Sequence, residues 1–339
     1  MAFQHQQNKQ PSKTDICAIT KVISKHLNGL CKVGEAFRVT DQTDSTGNTK
    51  DIYTANKEMI VIKDNLFAFE KTLGAGAFGS VFAATNLITG EKVAIKKQKP
   101  QCCPDPMIQM QVKVTCCHGI GLCKPEVNTS PEYKSDGFAY FVLPLADSVY
   151  YKWVQKTFAH HPINGWKTVI KALINIVDDL DRLHKDKKVH MDLKGDNVLI
   201  IDDKAYLSDF GKTEDVGKLL PKIPCKYEDY PHNAPEYKTG VRPVLCFPGP
   251  QNGFGQPGPQ NFAGFGQAAI PQYYCCHEAF DAWSLGEMIS RDVAMFPLEI
   301  QVELKTMVRG LMNVCPEKRP PMKAVRSYLN KILRKNCCH

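Results

Sequence analysis

No apolar run in this 339-residue chain approaches the ~18 residues that a membrane span requires. The opening residues, MAFQHQQNKQ, lack the apolar centre of a secretory signal. These two absences lead to the expectation of an intracellular protein, cytoplasmic or nuclear, without a transmembrane segment. Cysteine pairs of C-x₂₋₄-C spacing, on which structural zinc sites are built, are missing as well. The 14 cysteines instead include four adjacent doublets, at 102–103, 116–117, 275–276 and 337–338, three of them followed by histidine. Thiolate and imidazole suit zinc in kind but not at this spacing, so buried, reduced thiols are the expected state. The body of the chain also lacks an excess of positive charge. Of 43 Lys/Arg, seven lie in residues 318–339, which hold no Asp or Glu, and the remainder is 36 basic against 35 acidic. Such a balance argues against a nucleic-acid partner.

The pattern of what is present divides the chain. Residues 1–64 read as an N-terminal extension carrying one amphipathic helix, with Ile19, Val22, Ile23, Leu27 and Leu30 at helical spacing. A polar loop follows, and the helix is expected to pack on the main body. Residues 65–145 read as short strands: two apolar runs joined by a glycine-rich turn, then EKVAIKK and FAYFVLPLA. Residues 146–339 are mainly helical, and Val169, Leu173, Ile176, Val177, Leu180 and Leu183 share one helical face. Strands first and helices after define an α+β protein with two lobes, the first small and β-rich. A near-duplicated segment, PGPQNGFGQ then PGPQNFAGFGQ, marks a Gly/Pro/Gln-rich surface insertion at about 243–273. At the C-terminus, Val325, Tyr328, Leu329 and Ile332 fit one buried helical face, with the basic residues outside. A membrane-surface role for that basic end is the less favoured alternative.

Several short stretches carry chemistry. LGAGAFGSV places Leu73, Gly74, Ala75, Gly76, Ala77, Phe78, Gly79 and Val81 in a turn followed by a strand rather than a helix. This is the arrangement of a β-hairpin over phosphates, not of a dinucleotide fold. In VAIK, Ala94 precedes Lys96, and a lysine on a buried strand needs an anion. HMDLKGDN carries Asp192, Lys194 and Asn197, and SDFGK carries Asp209. Asn197 and Asp209 are hard oxygen donors for magnesium, Asp192 can accept the proton of an attacking hydroxyl, and Lys194 can neutralise charge.

Taken in order, GAGAFGSV, VAIK, HMDLKGDN, DFG, NAPE (Ala234 to Glu236), FDAWSLG with Asp281, and CPEKRP with Arg319 resemble the eukaryotic-type protein kinase family over about residues 66–335. The lysine in DLKGDN points to the serine/threonine branch, and the divergence between the motifs suits a viral member. The resemblance implies a bilobal kinase-like fold, ATP and Mg²⁺ as cofactors, protein substrates, and pairing of Arg319 with Glu236. Four departures stand out. Met191 replaces the usual arginine before Asp192. No glutamate lies between Lys97 and Pro125 to pair with Lys96, leaving Gln109 and Gln111 as candidates. Asp229 stands where a threonine is usual, and the insertion lengthens the path from Glu236 to Asp281. Between Gly211 and Asn233 the only Ser/Thr is Thr213, so loop ordering without phosphorylation is expected. The rival reading is a nucleotide-binding scaffold that kept the fold and lost transfer. Intact Lys96, Asp192, Asn197 and Asp209 weigh against it, and the missing glutamate weighs for it.

Overall fold

The computed structural model describes residues 12–38, 52–54, 56–76, 79–99, 105–122, 132–134, 136–222, 231–238 and 273–335. Ala77, Phe78, Asp229, the repeats at 248–267 and the Cys337–Cys338 doublet lie outside the described residues. The chain divides into two units, Met1–Ala146 and Asp147–His339.

In the first unit, helix α1 (Lys13–His26) begins at a capping box. The Asp15 backbone N–H donates to Ser12 Oγ at 3.3 Å, and the Ser12 N–H donates to Asp15 Oδ2 at 2.9 Å. Its Ile16, Ile19 and Ile23 fall on one side and pack with Met59, Val61, Leu66 and Ala68. The alternation in that strand set is the period-2 pattern that turns every second side chain to one face. The extension also supplies strand β1 (Leu30–Cys31) and a small ribbon of β2 (Ala36–Arg38) with β3 (Ile52–Thr54). The remaining elements are β4 (Met59–Ile62), β5 (Asn65–Gly76), β6 (Gly79–Asn86), β7 (Lys92–Gln98), helix α2 (Asp105–Cys117), β8 (Glu132–Tyr133) and β9 (Ala139–Pro144). Seven strands pair in the order β1-β4-β5-β6-β7-β9-β8, antiparallel throughout. Residues preceding position 64 therefore belong to the same sheet as those after it.

The second unit opens with β10 (Ser148–Val149), α3 (Tyr150–His160) and α4 (Gly165–Lys185). All six apolar residues expected on one face of α4 are buried there. There follow β11 (Lys188–Val189), β12 (Val198–Ile201), β13 (Lys204–Leu207), β14 (Glu214–Asp215), β15 (Leu219–Pro221), β16 (Tyr273–Cys275), α5 (Ala279–Asp292), α6 (Leu298–Leu311) and α7 (Met322–Lys335). Helix α7 packs against α4 and α6, burying Val325, Leu329 and Ile332. Tyr328 is half-buried and donates its hydroxyl to Glu303 Oε2 at 2.7 Å. No helix among the described residues is long and apolar enough to cross a membrane. The expectation of buried thiols needs correction. Cys31 and Cys276 are buried and free, but Cys17, Cys116, Cys117 and Cys275 are exposed, and Cys315 is disulfide-bonded. Adjacent residues on a helix or strand point to different sides, so a doublet cannot be buried as a pair at an element's surface.

Candidate active site

Each unit contributes its own set of functional side chains. In the first, β5 and β6 form the glycine-rich hairpin, with Gly74 opposite Val81, Ala75 opposite Ser80 and Gly76 opposite Gly79. A side chain at Gly79 is ruled out by its φ of +150° and by the Lys97 carbonyl oxygen, 2.0 Å from where a Cβ would stand. At Gly74 and Gly76 an added Cβ would meet nothing within 4 Å among the described residues. Packing among those residues does not demand glycine there, whereas a ligand approaching the bare backbone would. Leu73 is exposed beside a register shift of the hairpin.

Direct partners on antiparallel strands share a face. Val81 opposes Lys96 and Ala83 opposes Ala94, while Lys96 also opposes Phe141, and Ala94 opposes Leu143. Val81, Ala94 and Lys96 thus stand on one face of the sheet with Ala83, Phe141 and Leu143, the half-buried lysine among these apolar neighbours. Helix α2 covers part of that face, since its Val112 packs with Ala139 and Phe141. Among its described side chains the helix brings an amide, not a carboxylate. Gln111 is only 4% exposed and its Oε1 has no hydrogen-bond partner, while Gln109 is exposed. Of the two glutamines open from sequence, Gln111 is therefore the buried one.

In the second unit, Asp192 is the centre of a convergent set. Its Oδ1 lies 2.9 Å from Lys212 Nζ and 3.3 Å from His232 Nε2. Its Oδ2 accepts from Asn197 Nδ2 at 3.1 Å and lies 3.4 Å from Lys194 Nζ. Burial works to raise the Asp192 carboxyl, but His232, Lys212 and Lys194 together outweigh it and hold the group well below the usual carboxylate range. Asn197 also donates to the Asp192 backbone carbonyl at 2.8 Å. With its Nδ2 committed twice to Asp192, Asn197 offers its amide oxygen as the atom for a cation.

The backbone around Asp192 is held by buried Asp281 of α5. Asp281 accepts from the His190 N–H at 2.8 Å and the Met191 N–H at 3.1 Å, and lies 2.8 Å from His184 Nε2. The His190 ring donates from Nε2 to the Ser208 carbonyl at 3.0 Å and accepts the Asp192 N–H at Nδ1, 3.3 Å, so its proton sits on Nε2. Among the residues at positive φ are two of this site, Met191 with φ +67° and Asp209 with φ +56°, values that non-glycine residues seldom adopt. The Asp209 position turns the chain so that Phe210 packs against His190, ring centroids 5.2 Å apart.

Two sequence expectations meet their geometry in this unit. Arg319 grips Glu236 with a two-pronged pair at 2.7 and 2.8 Å. The Met191 side chain is buried with Val189, Leu220, Ala234, Tyr274, Cys276, Phe280 and Trp283, and its Sδ accepts a weak hydrogen bond from Cys276 Sγ at 3.7 Å. The segment after Asp209 is tied by β-ladders, β14 to β11 and β15 to β16. Lys212 and His232 were not singled out from sequence. The available signal was position alone, one directly after DFG and the other two residues before the alanine of NAPE.

Magnesium is usually bound through one or two protein oxygens plus substrate phosphates rather than by a full protein cage. Asn197 and Asp209 fit that description, and among the described residues no group of three His, Cys, Asp or Glu could hold a metal unaided. The exposed hairpin backbone and Lys96 fit a polyphosphate in the same sense.

An antiparallel sheet followed by a helical unit, with these motifs in order, defines a bilobal α+β kinase fold. The family model described as protein kinase domain matches residues 67–236. The chain belongs to the protein kinase family. It is 29% identical to serine/threonine-protein kinase PknH of Mycobacterium bovis over 191 residues, 53% of this chain and 32% of that protein. Serine/threonine-protein kinase 33 of Mus musculus is 28% identical over 168 residues, 47% of this chain and 33% of that protein. Cyclin-dependent kinase 9 of Homo sapiens is 28% identical over 161 residues, 44% of this chain and 42% of that protein. The matched stretch spans about a third of the length of the first of these relatives.

Proposed function

We propose that this chain transfers the γ-phosphoryl group of ATP to Ser/Thr hydroxyls of protein substrates, without needing a phosphate on its own activation segment. The observation that carries the reading is Asp192, buried, kept anionic, and held from both oxygens by cations and an amide. A purely structural carboxylate has no need of two lysines and a histidine at a loop that also presents Asn197 and Asp209. Mg²⁺-ATP supplies the phosphoryl group and the charge neutralisation of its oxygens. The chain's residues do the positioning: Lys96 and the hairpin backbone bind the phosphates, and Asn197 and Asp209 hold the cation. Asp192 orients the attacking hydroxyl and takes its proton, with Lys194 offsetting negative charge.

Independence from phosphorylation is supported by what surrounds Met191. The side chain that would otherwise bind a loop phosphate is packed in a mostly apolar cluster, and residues 214–215 and 219–221 of the segment it would order pair with β11 and β16. The relatives named as serine/threonine kinases support the choice of hydroxyl. A scaffold reading is favoured by one observation, the neutral Gln111 where an acid would assist Lys96. The two are separated by incubating bacterially produced, phosphatase-treated protein with labelled ATP and a mixed peptide library, beside Asp192→Asn and Lys96→Met. Label on Ser or Thr that both substitutions remove supports transfer. Equal label in wild type and variants, or none without an upstream kinase, refutes it.

A further inference from the structure

A carboxylate offers about four lone-pair positions. In Asp192 four nitrogens crowd them: Lys212 donates to Oδ1 and Lys194 and Asn197 to Oδ2, while His232 Nε2 lies 3.3 Å from Oδ1 but off hydrogen-bond alignment. A hydroxyl that is to be oriented by this carboxylate must displace one of them. The four are not equally held. Lys194 and Lys212 are 36% and 41% exposed, on long stems that can swing into solvent. His232 is 10% exposed and Asn197 is 7% exposed.

His232 is also fixed through its backbone. Its carbonyl accepts from Ser284 Oγ at 2.7 Å, and the neighbouring Pro231 carbonyl accepts from Trp283 Nε1 at 3.1 Å. Ser284 and Trp283 lie on α5, the helix whose Asp281 anchors His190 and Met191 on the other side of Asp192. One helix therefore sets both the backbone that carries Asp192 and the backbone that carries His232.

We propose that His232 is a positioning residue for Asp192: it and Asn197, one rigid nitrogen beside each oxygen, set the plane of the carboxylate, while Lys194 and Lys212 are the donors that yield to substrate. This inference rests on the transfer activity proposed above and adds a residue to it. The atom that matters is Nε2, and this makes the test selective. Glutamine places its amide nitrogen where Nε2 stands, and asparagine places its own where Nδ1 stands, out of reach of Asp192.

The experiment measures kcat and the KM values for ATP and peptide in wild type, His232→Ala, His232→Asn and His232→Gln, with melting temperatures alongside. The expected result is a kcat lower by about ten- to a hundredfold in the Ala and Asn variants, the scale of a misplaced catalytic group. The KM for ATP stays near wild type, and Gln returns most of kcat. An Ala variant with wild-type kcat overturns the proposal, as do Asn and Gln variants impaired alike. Wild-type protein without transfer would remove the activity and this inference together, whereas an active wild type with an indifferent His232 removes only the inference.

Discussion

Replacing Met191 with arginine restores the residue usual in the family, yet it should damage this protein. Met191 is 3% exposed among apolar neighbours. Asp281, the carboxylate that binds the Met191 N–H, already receives His184 and the His190 N–H as well, leaving little for a guanidinium with five donors. Losing the methionine packing costs ~2–5 kcal/mol by analogy with other truncations of buried side chains. An unpaired buried charge adds several kcal/mol even after the site relaxes. A total of at least about 4 kcal/mol is expected, which for a unit of this size corresponds to a fall of roughly 8–16 °C in melting temperature. Met191→Leu, similar in volume, should cost under about 1.5 kcal/mol and serves as the control. Differential scanning calorimetry of the intact protein measures both, with transfer assayed before and after treatment with an upstream kinase. Should Met191→Arg melt within about 2 °C of wild type, a shift worth no more than ~1 kcal/mol, and gain a dependence on phosphorylation, the site is a dormant phosphate receptor and the packing argument is wrong.

Two further outcomes follow from the same unit. Lys212→Met removes a donor that substrate must displace, so the KM for peptide should fall a fewfold with kcat little changed, as expected when a competing ground-state contact is lost. A tenfold drop in kcat at constant KM would instead put Lys212 in the transfer step. Asp179 is buried, its Oδ2 accepting the Leu207 N–H at 3.0 Å, and burial pushes its carboxyl up to about 6. A folded pKa above the unfolded value means stability fully present below about 3.8 and lost as pH rises through about 6. Asp179→Asn keeps the acceptor and removes the charge. It should raise the melting temperature at pH 7.5 by the equivalent of ~2–3 kcal/mol and flatten the pH dependence between about 4 and 6. Asp292, raised to about 6 by its own burial, will leave a residual slope in that window. A variant less stable than wild type at pH 7.5 would sink the assignment.

What the sequence determines by itself is local. The glycine hairpin, the VAIK strand, the loop from His190 to Asn197 and the apolar face of α4 are each set by a few neighbouring residues. Their function depends on spacing that the chain carries along its length, and the order of the motifs identifies the family. The packing of Met191, the pairing of β15 with β16 and the roles of Lys212 and His232 needed the tertiary structure. In each, the partners are far apart in sequence: Asp192 meets His232, and Asp281 reaches back to His190. Gln109 and Gln111 differ by only two residues, yet at 3.6 residues per turn that is more than half a rotation, and only the docked helix decides which is buried. Of the four groups around the Asp192 carboxylate, Lys194 and Asn197 lie in the HMDLKGDN motif, whereas Lys212 and His232 come from separate loop positions that no periodicity announces. They become one site because α5 holds the backbone on both sides of the same carboxylate.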